Sequence, residues 1–180
     1  LYFGDGQDWS IEYDEDGDDD LKMTGTTLTV ASDTVTFTSE ASTDPLVIIN
    51  NYTNDENGAR LRFVKDKGAA GAANDVAGVI EFYADDARQD QVLFSEIKSQ
   101  VAVHTNGQEG GKLSLSVASH DGESQPGLVI TDGSAEDEVD VTVGNGSASR
   151  TTISGDMTIT TIANPGSDVD KFLVSNSGVV

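Results

Sequence analysis

The chain has no cysteine, only three prolines and two histidines, and aromatic residues make up just 6% of its 180 positions. Without cysteine there is no disulfide framework, no thiolate metal site and no thiol nucleophile, so the redox compartment is left open. No apolar run is long enough to cross a bilayer, and the start shows no basic-then-apolar leader pattern. Basic residues are also scarce, with 10 Lys and Arg against 32 Asp and Glu, for a formal net charge of −22. Such a surface repels phosphate backbones and anionic lipid, which argues against nucleic-acid or membrane partners. It promotes solubility, resists non-specific association, and draws divalent cations or basic partners. With 36% hydrophobic residues and few aromatics, one large apolar core is not expected. Burial must come from small β-branched side chains, supplied by strands and by neighbouring chains.

Short apolar runs are separated by Gly, Thr, Ser, Asn and Asp. That is turn chemistry repeated along the chain, and it predicts an all-β fold. Trp9, Ile11 and Tyr13 alternate with polar residues, and an Asp/Gly turn follows at 14–20. Leu21 and Met23 come next, then Leu28 and Val30, then a short strand over 35–38. These read as hairpins, too short to close a core alone. The continuous run Leu46-Val47-Ile48-Ile49 suits a strand buried on both faces. Strands are predicted over 60–65, with Leu61 and Phe63 inward, and over 78–83. Residues 67–75, rich in Gly and Ala, read as a flexible loop. Between 92 and 103, Leu93, Ile97 and Val101 also fit helical spacing, but the β-branched residues favour a strand. Leu113, Leu115 and Val117 alternate cleanly, and a run over 127–130 follows. Val139, Val141 and Val143 alternate before the Gly144-Asn145-Gly146 turn. Thinner strands are expected from Ile153 to Ile162 and at 172–174.

The expected organisation is a hairpin shaft segment at 1–44, a central β-sandwich-like module at 45–133 and a second β shaft segment at 134–180. Ile80, Phe82, Leu113 and Leu115 join Leu61 and Phe63 as the inward residues of the central module. No fixed-length repeat establishes a solenoid. The thin flanking segments lack apolar area for a monomer, which predicts a homotrimer. The start at Leu1 and the stop at Val180, in the middle of a pattern, read as a piece of something longer.

Several motifs resemble one family. Gly4-Asp5-Gly6-Gln7-Asp8-Trp9-Ser10-Ile11-Glu12-Tyr13-Asp14 resembles a repeat of bacteriophage tail-fibre proteins, in which a Gly/Asp turn precedes a strand ending in Tyr-Asp or His-Asp. Asn57-Gly58-Ala59-Arg60-Leu61-Arg62-Phe63 is similar to their fibre modules, as are Asn74-Asp75-Val76-Ala77-Gly78-Val79-Ile80-Glu81-Phe82 and Gly110-Gly111-Lys112-Leu113-Ser114-Leu115-Ser116-Val117. Val141-Thr142-Val143-Gly144-Asn145-Gly146-Ser147-Ala148-Ser149, with Thr151-Thr152-Ile153-Ser154-Gly155-Asp156-Met157-Thr158-Ile159, resembles their shaft repeats. Phe172-Leu173-Val174-Ser175-Asn176-Ser177-Gly178 resembles a junction before later repeats. The resemblance implies a homotrimeric virion fibre that positions host-recognition elements, with other tail proteins and the host surface as partners. It transfers no catalytic residue. Alternative readings are a receptor-binding module for host glycan or protein, a head fibre or capsid decoration protein, and a bacterial adhesin. A polysaccharide depolymerase comes after these.

The remaining candidates favour no chemistry, so no catalytic, cofactor or metal residue is expected. Asp14, Asp16 and Asp18 have the spacing of a calcium loop, but Asp19 stands where Gly belongs and Gly25 where the bidentate Glu belongs. Starting at Glu12 places Gly17 correctly and puts Met23 at the Glu position. A solvated hairpin turn is the preferred reading. His104 and His120 are not in ligand spacing. The Gly/Ala run at 68–73 lacks the Lys and Ser/Thr of a phosphate loop. Carboxylates are so abundant that no glycosidase pair stands out. Asn51-Tyr52-Thr53 and Asn145-Gly146-Ser147 match a glycosylation pattern common by chance.

Overall fold

The computed structural model describes residues 2–3, 9–13, 21–24 and 27–158. The chain forms two compact units, Leu1–Arg60 and Leu61–Val180. All regular structure among the described residues is β.

In the first unit, β1 (Tyr2–Phe3), β2 (Trp9–Tyr13) and β3 (Leu21–Thr24) form an antiparallel sheet in that order. Ile11 pairs with Met23 and Tyr13 with Leu21, in keeping with the hairpin reading. The acidic run at 14–20 that joins them lies outside the described residues, as do the runs from 159 onward.

The second unit holds a five-stranded antiparallel meander of β4 (Val76–Asp85), β5 (Gln91–Val103), β6 (Gly110–Ala118), β7 (Ser124–Asp132) and β8 (Val139–Val143), hydrogen-bonded in chain order. Each strand matches a run of alternating or β-branched residues, which suit a pleated, half-buried surface. β5 resolves the double periodicity at 92–103 in favour of the strand. With β4 on one side and β6 on the other, both edges of its backbone are satisfied. The hairpin connections carry the expected Asp and Gly residues. Asp86 Oδ1 accepts from the amides of Arg88 at 2.7 Å and Asp90 at 3.0 Å. Gly107 (φ 79°) and Gly122 (φ 87°) take the left-handed conformation that turns the chain before β6 and β7. The 67–75 loop is clasped at its base, where Lys67 Nζ donates to Asp75 Oδ2 at 2.6 Å. The Asn74 amide donates to the Val101 carbonyl at 2.7 Å.

Two expectations are corrected. Residues 28–30, 35–38, 46–49 and 60–65 join no ladder, and no strand occurs within 153–158. Among the described residues the only backbone–backbone hydrogen bonds that involve 27–73 run from the Asp44 amide to the Ala41 carbonyl, at 3.4 Å, and from the Asp75 amide to the Ala72 carbonyl, at 3.1 Å. Far from being buried on both faces, Ile48 is 72% exposed. The alternation records side chains suited to a sheet, but a strand also needs a backbone partner, and the described residues supply none there. The central module is correspondingly one sheet within the chain instead of a sandwich. Ile80, Phe82, Leu113 and Leu115 do share a face, yet none is buried, and no large apolar side chain among the described residues is. β8, which the sequence reading placed in the C-terminal segment, is the fifth strand of this sheet.

Candidate functional site

Directly paired residues of an antiparallel ladder point to the same side, so the register sorts the sheet into two faces. One row crosses all five strands as Ile80, Ile97, Leu115, Leu128 and Val143. Two residues along, on the same face, Gly78, Ser99, Leu113, Ile130 and Val141 form a second row. On the other side of the first row lie Phe82, Ser95, Val117 and Gln125. None of these three rows holds a charged residue. Charge borders this face only at its ends, with Asp132 paired with Val139 at one and Glu123, whose Oε2 accepts from Gln125 Nε2 at 3.4 Å, at the other.

The opposite face carries Glu81, Glu96, Ser116 and Pro126 in one row, and Val79, Lys98, Ser114, Val129 and Thr142 in the next. Lys98 Nζ donates to Glu96 Oε1 at 2.7 Å, and Ser124 Oγ to the same oxygen at 3.4 Å. Both acid and base stand two residues apart on β5, which puts them side by side on one face.

Exposure does not sort by polarity. Ser114 and Ser116 are only 4% and 5% exposed, tucked between longer neighbours, whereas Phe82 is 50% and Val141 58% exposed. The neutral face is open to water in a single chain, as are Glu81 and Thr142 on the other face. Phe63 begins to cover the neutral face. Its Cβ lies 2.8 Å from where a Cβ on Gly78 would stand, so the missing side chain at 78 is what admits the ring. With Ile80, Ile97 and Leu113 they line an open apolar hollow. A second shallow hollow lies between Phe82, Ile97, Leu115, Val117 and Leu128.

Hydrogen bonds hold several carboxylates below their usual range. For Glu96 the hydrogen bond from Lys98 is the main cause; burial opposes it, and Ser124 and Ser116 add smaller downward contributions. For Asp75 it is Lys67 and then the Ala72 amide. For Glu138, which closes the β7–β8 turn, it is the amides of Ser134 and Ala135. These groups are already ionised, and each is engaged in holding a turn or a strand. A depressed folded-state value stabilises the fold above the ordinary carboxylate range and is lost as pH falls through it. Glu96→Gln is therefore expected to cost about 1 kcal/mol at neutral pH. The difference from the parent should shrink toward zero in a urea-melt series taken below the ordinary glutamate range. Comparing the two proteins cancels the opposite effect of protonation, which relieves the repulsion of a chain at −22.

The sequence-level candidates do not converge. His104 lies exposed in the β5–β6 connection and His120 exposed in the β6–β7 turn. The 68–73 run is part of the clasped loop. Asn51 uses its side chain inside a local turn, with Nδ2 donating to the Asn57 carbonyl at 3.1 Å and Oδ1 accepting from the Thr53 amide at 3.0 Å. Asn145 Nδ2 donates to Gln125 Oε1 at 2.6 Å. Among the described residues no group of three or more His, Asp or Glu side chains could hold a metal ion. The sequence reading missed the extent of the neutral face, since Ile97, Leu128, Ile130, Val141 and Val143 belong to it as much as the four residues it named. Comparison with protein families, with curated proteins and with solved structures finds no match to this chain.

Proposed function

We propose that this chain is a structural segment of a phage-type virion fibre, assembled as a homotrimer in which strands of different copies complete one another. The observation that carries the interchain part is the state of residues 27–73. Their alternating apolar residues are exposed, and among the described residues their backbone groups make almost no backbone–backbone hydrogen bonds. Exposed apolar runs of this length are costly in water, and neighbouring copies cover them and pair their backbone. The same contacts give the central sheet the second layer that a sandwich-like module requires. The fibre identity rests on the resemblance of the Gly/Asp-turn and Thr/Val-strand motifs to tail-fibre modules.

The role is mechanical: rigidity comes from interchain β contacts, and host-recognition elements are carried and positioned by them. Labelling this chain on intact particles with an antibody fragment and imaging them tests the reading. The label is expected along a fibre projecting from the virion. Label confined to the capsid surface between fibres would overturn it.

A further inference from the structure

We propose that the uncharged face of the β4–β8 sheet is turned inward onto the same face of the other copies, with the Glu96–Lys98 face outward. This deepens the fibre reading and rests on it. Every copy carries a formal charge of −22, so approach of two copies through most of their surface sets like charges against each other. The rows through Ile80, Gly78 and Phe82 offer a surface where that repulsion is absent, because all their members are neutral across the sheet. An identical face meets it with apolar groups opposite apolar groups.

The exposure also fits. Phe82, Val117, Val141 and Val143 are each 50–58% exposed, and Ile80 and Leu115 each 39%. They form one continuous apolar surface across the five strands, the kind of patch on which an interface of ~800 Å² per partner is built. A basic partner protein would find nothing to pair with here. Its matching surfaces are the acidic turns at 86–90, 121–123 and 136–138.

The absence of cysteine makes a direct test available. Leu115→Cys and Val141→Cys place a thiol on the neutral face, and Thr142→Cys places one on the opposite face of the same edge strand. Val141 and Thr142 are both exposed in the single chain, so a lone chain would react at both with similar rates. A maleimide reagent is applied to the native proteins and to the same proteins unfolded in urea, and the mass of each variant is measured alongside. Three-chain assemblies are expected, with thiols 115 and 141 reacting more than about 100-fold slower natively than when unfolded, because access requires the assembly to open. Thiol 142 should react at nearly its unfolded rate. A variant at 115 or 141 that falls to single chains, while Thr142→Cys stays assembled, also places the face inside. Three-chain assemblies in which all three thiols react alike would overturn the face assignment and leave the fibre reading standing. Single chains throughout, with or without protected thiols, would overturn both.

Discussion

Leu115→Asp is expected to convert the assembled protein into single chains. Leu115 sits on β6, the middle strand of five, at the centre of the row Ile80, Ile97, Leu115, Leu128 and Val143. In a lone chain the position is 39% exposed, so a carboxylate there still reaches water and the sheet tolerates it. Against the same face of other copies it would be stripped of water with no cation beside it. An unpaired buried carboxylate costs several kcal/mol, on the order of 3–5 for breaking a buried charge arrangement. Each copy would add one such charge near the axis, and they repel one another. Thr142→Asp adds the same charge on the opposite, exposed face and is expected to leave the assembled mass unchanged. Sedimentation of the two variants side by side checks this. Leu115→Asp sedimenting as the parent would contradict it.

The second large effect concerns Phe82. In the chain alone its ring is 50% exposed, so removing it should cost only about half of the roughly 3–5 kcal/mol of a fully buried phenylalanine. With other copies packed on the neutral face, the full value applies to each chain. Phe82→Ala is therefore expected to lose about 3–5 kcal/mol in denaturant melts of the assembly. Glu81→Ala, one residue away on the charged face, should lose about 0.5 kcal/mol or less. Equal losses would mean that the two faces have been exchanged. A Phe82→Ala loss of only about 1.5–2.5 kcal/mol, independent of protein concentration, would mean that the face stays open to water.

The strands of the sheet were legible because their residues alternate and their turns carry Asp and Gly at the positions that need them. Leu113, Leu115 and Val117 on β6 show it most plainly. β5 was harder, since Leu93, Ile97 and Val101 satisfy two periods. Its β-branched residues decided correctly, and its two ladder partners explain why. The same rules misplace 46–49 and 60–65. Leu46 to Ile49 and Leu61 with Phe63 have the composition of strands, but composition reports what a side chain prefers, not where a backbone partner is found. In a chain that associates with copies of itself, that partner need not be in the same chain. Phe63 is instructive, for it does reach the neutral face, against Gly78, without joining a ladder.

The two-faced character of the sheet could have been read further than it was. Glu96 and Lys98, two apart on a predicted strand, signal a shared charged face, and Ile97 between them then belongs with Leu115. The register that aligns these rows across five strands depends on bulges near Phe82 and Leu115, which no alternation pattern reveals. His104, His120 and the 68–73 run were read as ordinary connecting residues, and the structure places them in exposed connections.

The central question is whether the exposed apolar runs of 27–73 and the neutral face are completed by other copies of the chain. Sedimentation equilibrium of the unsubstituted protein over a wide concentration range measures that directly. The account predicts a mass of about three times the 18.9 kDa chain, persisting on dilution, with a cooperative unfolding transition whose midpoint rises with concentration. A compact single chain at all concentrations, with the same unfolding midpoint throughout, would contradict it.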